Sequence, residues 1–99
     1  MALRVELWEC GVLTDGVEEW WDDVEIALDA AKHDYPILDS VSPYGELVVA
    51  YDRLSDLADE CRLLAEAATG QGRELLLKIA GLCDRATLAT DSELRFNGD

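Results

Sequence analysis

Asp29 and His33 stand four residues apart, the spacing that places two side chains on one face of a helix. A carboxylate and an imidazole so placed could share a metal ion, but a centre needs further ligands, and His33 is the only histidine. An ion pair at a helix end is the plainer use of the two. Asp22 and Asp23 could hold a divalent cation loosely, or could simply be hydrated. Cys10, Cys61 and Cys83 are odd in number and too widely spaced for a disulfide framework or a CxxC site. No Gly-rich phosphate loop, HExxH or GxSxG sequence occurs. The chain therefore reads as non-enzymatic, with no catalytic residue, metal or cofactor.

The carboxylates around these residues belong to one stretch, Asp15 to His33, whose spacing predicts an amphipathic helix. Val17, Trp20, Trp21, Val24, Ala27, Leu28 and Ala31 form an apolar stripe. Glu18, Glu19, Asp22, Asp23, Glu25 and Asp29 form an acidic face. Asp15 suits the N-cap, with Glu18 at capping-box spacing, and Lys32 and His33 suit the negative end of the helix dipole. The alternation of Val24, Ile26 and Leu28 would suit a strand, but the longer helical pattern outweighs it. Ile26 falls among the acids: a lone exposed residue, a residue covered by another element, or an apolar contact point in a binding face. Trp20 and Trp21 are either core residues at opposite edges of the stripe or, for Trp21, partly exposed beside Glu18 and Glu25.

The elements that must hold this helix are read from the rest of the chain. Ala2–Glu9 alternates as a strand, and Cys10–Gly16 reads as a loop. Pro36 ends the helix near His33 or Asp34, and residues 36–45 read as a loop with a Pro43–Tyr44–Gly45 turn. Tyr44 is the aromatic expected to be exposed there. Glu46–Tyr51 is a second strand. Leu54, Leu57, Ala58, Cys61, Leu64, Ala65 and Ala68 line a second helix, and Thr69–Gly72 breaks it. A third helix runs from about Arg73 to Leu88 on Leu75, Leu76, Ile79, Leu82, Cys83 and Ala86. Glu93–Asn97 is a final short strand. The order β–α–β–α–α–β implies a single α+β domain over residues 1–99, a sandwich with helices covering a short sheet.

Charge narrows the partners. The chain has 99 residues, 49% of them hydrophobic, and a net charge of −14. Residues 1–50 hold 12 acids against 2 bases, and residues 51–99 hold 10 against 6, so the excess lies in the first half. Direct binding to nucleic acid or to an anionic membrane is disfavoured. A basic protein partner is favoured, meeting Glu18, Glu19, Trp21, Asp22, Asp23, Glu25, Ile26, Asp29 and Tyr44. Solubility is the other use of such a surface. Leu63, Leu77, Gly81 and Leu88 offer a second apolar strip, suited to a homodimer or to packing on the sheet. The absence of a signal-like or membrane-length apolar run, with unpaired cysteines, predicts a cytoplasmic protein.

At SPYGELVVAYDRL and the ending SELRFNGD, the chain resembles a loose group of small, uncharacterised bacterial proteins. These carry a PYG turn followed by a strand and a helix, and end in an aromatic-rich strand closing with Gly–Asp. The resemblance covers the C-terminal two-thirds and departs at VVAYDRL, where the group is more polar. No catalytic residue belongs to it. By size and charge the chain also looks like immunity proteins that inhibit basic toxins, including nucleases. The expectation is thus a toxin-neutralising protein. Its alternative is a small structural, regulatory or self-assembling domain whose acidity serves solubility.

Overall fold

Leu3, Val5 and Leu7 alternate with Arg4, Glu6 and Trp8, and the computed structural model, which describes residues 2–42, 45–86 and 90–98, turns the first set into the core. They lie on strand β1 (Ala2–Glu9). Cys10 and Gly11 both take positive φ, 53° and 77°, as a two-residue hairpin turn requires. The chain returns antiparallel as β2 (Val12–Trp20).

This corrects the predicted helix from Asp15 and the predicted loop at residues 10–16. Residues 15–20 are strand, Asp15 and Glu18 form no capping box, and Val17 and Trp20 belong to no helical stripe. The physical reason lies in the strand's position. Leu7 pairs with Asp15 and Trp8 with Leu13, so one extra residue bulges at Thr14 and shifts the alternation. Partners in an antiparallel ladder share a face. Asp15, Val17 and Glu19 therefore lie on the helix side, opposite Leu7, Val5 and Leu3. Arg85 and Lys78 neutralise the two acids there. An edge strand that turns carboxylates inward shows no apolar alternation in its sequence.

Helix α1 (Asp22–Ala30) follows at once. It ends earlier than predicted, because Lys32 and His33 both take left-handed φ. Helix α2 (Pro36–Asp39) occupies part of the predicted loop, with Pro36 in its first turn. The Glu60 carboxylate accepts hydrogen bonds from the N–H groups of Ile37 and Leu38 at 3.1–3.2 Å, which ties this turn to the next helix. Strand β3 (Glu46–Ala50) and a 3-10 turn over Tyr51–Arg53 lead into α3 (Leu54–Ala67). After Ala68 and Thr69, α4 (Gly70–Ala86) runs back along α3, and β4 (Ser92–Gly98) closes the fold.

The sheet order is β2-β1-β4-β3, antiparallel throughout. The α+β class and the helix-covered sheet thus match expectation, with β2 and the short α2 added to the predicted order. Helix α4 lies against β1, β4 and β2, α3 packs along α4, and α1 packs against both helices. The core draws on β1, Leu94 and Phe96 of β4, and the predicted stripes of α3 and α4, including Cys61 and Cys83. Trp21 meets Phe96 edge to face, with centroids 6.3 Å apart and planes at 77°. Leu63 and Leu77 of the second apolar strip are exposed, and Leu88 lies outside the described residues. Among the described residues no helix is long and apolar enough to cross a membrane.

Candidate functional site

The predicted acidic face divides between β2 and α1. On β2, Glu18 accepts hydrogen bonds from the Arg4 guanidinium at 3.3 Å, and Glu19 accepts one from Lys78 at 3.2 Å. Asp15 pairs with Arg85. That guanidinium, with the N–H of Gly16, holds the Asp15 carboxyl below its ordinary range. All three acids on β2 thus have bases beside them.

On α1 the balance differs. Val24 and Leu28 face the core, and Asp22, Asp23, Glu25, Ile26 and Asp29 face outward. Asp22, Asp23 and Glu25 fill the first turn, where the backbone N–H groups favour negative charge. Among the described residues Asp23 and Glu25 form no ion pair. Ile26 is 66% exposed in their midst, the most exposed large apolar side chain among the described residues. Beside it a groove of about 360 Å³ is walled by Asp23, Ile26, Ala27, Ala30, Ala67 and Ala68, where α1 meets the turn between α3 and α4. This exposure removes the reading in which another element covers Ile26.

Trp21 separates from this face. It is 2% exposed, at the N-cap position of α1, so its ring serves the core. Its indole N–H has no acceptor among the described residues. Trp20 is 59% exposed, so the two consecutive tryptophans are not both core. The change from strand to helix between them sends one ring out and the other in. Tyr44, with the Pro43–Tyr44 part of the predicted turn, lies outside the described residues.

Asp29 and His33 meet, with His33 Nε2 2.8 Å from the carboxylate, although His33 lies past the end of α1 with a left-handed φ and shares no helix face with Asp29. A third group joins them: Asp39 Oδ1 lies 2.9 Å from His33 Nδ1, and the N–H of Tyr35 donates to Asp39 Oδ2. Both imidazole nitrogens are engaged. The Asp39 hydrogen bond, aided by the charges of both aspartates, raises the His33 pKa. Burial pushes the Cys83 thiol up to about 12 and Cys61 higher still, so neither supplies a thiolate near neutral pH.

Two features escaped the sequence reading. The sheet face opposite the helices carries a polar network. Glu6 accepts hydrogen bonds from the Trp8 indole and the Asn97 amide, and the Arg95 guanidinium lies 4.1 Å from the Trp8 ring centroid. Even spacing of Arg4, Glu6 and Trp8 was the available signal. The second is the edge of β2, where Lys78, Gly81 and Arg85 recur on the face of α4 beside the strand. Their i, i+3, i+7 spacing matches Asp15 and Glu19 only once those acids are read as strand.

Set beside known protein families, curated proteins and solved structures, the chain matches none.

Proposed function

We propose that the chain is a non-enzymatic binding protein that neutralises a basic protein toxin, in the manner of an immunity protein, by docking the outer face of α1 onto it. The observation that supports this reading is Ile26, exposed among Asp22, Asp23, Glu25 and Asp29. An apolar side chain there supplies contact area that desolvates on docking, and the carboxylates around it supply attraction and orientation. The Ala-walled groove beside Ile26 lets a partner approach the helix backbone closely. The target class is a protein with a basic cleft, such as a nuclease, because its phosphate-binding surface is complementary to these carboxylates. Its setting is the reducing cytoplasm, which suits three free thiols.

The test is affinity capture from the source organism's lysate at low and moderate salt, followed by association kinetics with the purified partner. A stoichiometric basic partner is expected, and the double reversal Asp22→Lys/Asp23→Lys should slow its association about tenfold or more. Losing two acids from the first turn should itself cost about 0.3–1 kcal/mol each, so a melting curve of the variant must show it folded at the assay temperature. Recovery of the chain alone, or an unchanged association rate, would overturn the reading.

A further inference from the structure

Strand β2 is an edge: its ladder runs to β1 alone. In an antiparallel strand alternate residues turn their N–H and C=O to opposite sides. At Gly16 the N–H donates to the side chain of the preceding residue, Asp15 Oδ1, at 2.7 Å. Alongside this edge a groove of about 420 Å³ separates β2 from α4. The ion pairs Asp15–Arg85 and Glu19–Lys78 bracket it at either end. Between them lie Val17, Leu82 and Gly81, and a Cβ built onto Gly81 would meet nothing within 4 Å. The opening is therefore apolar at its centre and neutral at its ends. On the other face of the strand a hollow of about 510 Å³ beside Gly16 is walled by Leu13, Glu6, Glu18 and Arg4.

We propose that an extended, basic segment of a partner protein adds to this edge as a fifth strand, placing an apolar side chain in the gap at Gly81. Main-chain hydrogen bonds would supply affinity, and the cavities on the two faces would sort alternate side chains. Charge selects the occupant. The chain carries −14, so an acidic strand is repelled, and a second copy brings another −14 to the contact. A basic strand is attracted, and the ion pairs at the groove ends do not oppose it. Trp20 closes the strand one residue before Trp21, which stands at the N-cap position of α1, so the edge strand leads directly into the acidic helix. The proposal rests on reading the chain as a binder of a basic protein.

The probe is an octapeptide of alternating lysine and valine, added in excess to the isotope-labelled full chain, with its glutamate–valine counterpart as control. Amide exchange at Gly16 and Glu18 should slow about tenfold or more with the lysine peptide, and not with the glutamate one. Gly81→Leu fills the gap and favours helix, so it should weaken peptide binding about tenfold without lowering the melting temperature. Unchanged exchange at these amides, or full binding by Gly81→Leu, would overturn strand addition. A dimer of the free chain with these amides already protected would overturn it too, by making the second copy the occupant. The acidic-helix reading is judged separately by the lysate capture, so peptide shifts confined to α1 would remove strand addition and leave that reading standing.

Discussion

At the scale of single residues, His33 is the titrating group whose surroundings are most specific. Its ring is held between Asp29 on α1 and Asp39 on α2, with Lys32 and Asp34 as charged chain neighbours. Protonation lets both ring nitrogens donate, one to each carboxylate, so the imidazolium fits the site better than the neutral ring. The folded-state pKa is accordingly raised above the ordinary 6.5. Stability from this contact is therefore complete below that value and is lost as pH rises through the raised pKa. Two-dimensional NMR of the imidazole should give a midpoint above 6.5, and Asp39→Asn should lower it more than Asp29→Asn, because the Asp39 hydrogen bond is the largest contributor. The melting temperature should decline from mildly acidic to mildly alkaline pH, and His33→Gln should lose most of that slope. A midpoint at or below 6.5 would mean that the two aspartates do not hold the ring in solution.

At the scale of elements, two glycines on α4 predict opposite outcomes. A Cβ on Gly72 would fall 2.9 Å from Asp23 Cβ and 3.2 Å from the Asp23 carbonyl carbon, so Gly72 is what lets α4 pass close to the start of α1. At Gly81 the added atom meets open space. Alanine favours a helix interior by about 0.8–1 kcal/mol over glycine, whereas forcing an atom into a packed contact costs about 1–3 kcal/mol. Gly81→Ala should therefore raise the urea midpoint, and Gly72→Ala should lower it; equal shifts would remove the close helix approach from the account. Sequence reading assigned Gly72 to a turn and Gly81 to an apolar strip, because a glycine's neighbours in space do not show in its neighbours in sequence. The same limit hid β2. Strands β1, β3 and β4 and helices α3 and α4 announce themselves because apolar residues recur at the period of the element. In β2 the helix-facing places are held by Asp15 and Glu19, whose partners Arg85 and Lys78 lie 70 and 59 residues away. Of the acidic face, the part on α1 was legible as a helical pattern, whereas Glu18 and Glu19 were misplaced with the strand. Trp21 stood open between core and partial exposure only while residues 15–21 were read as helix.

At the scale of the whole molecule, the net charge of −14 sits on a body 36 × 26 × 20 Å in extent. The Debye length is about 30 Å at 10 mM salt and about 8 Å at 150 mM. In dilute buffer each carboxylate therefore feels most of the others, whereas at physiological salt it feels only its neighbours. Unfolding relieves this repulsion, because a chain of this length expands to a radius of gyration of about 30 Å, against 12.3 Å folded. Salt also weakens the exposed ion pairs, such as Arg4–Glu18 and Arg62–Asp84. Pairs of that kind contribute about 0–1 kcal/mol each, and they act over distances that salt screens least. The repulsion among 22 acids answered by 8 bases acts over longer distances, so its relief should dominate. Sodium chloride raised from about 10 to about 150 mM, a range set by the screening lengths, should thus stabilise the fold. About 1 kcal/mol corresponds to roughly 4–8 °C in a domain of this size. Calorimetric scans at fixed pH across that range decide the matter. A flat melting temperature would show that local pairs and dispersed charge cancel, and would weaken the case for a long-range field that draws a basic partner to α1. A rise would establish that field independently of any partner, and Asp22→Lys/Asp23→Lys, which changes the net charge from −14 to −10, should then reduce the salt response.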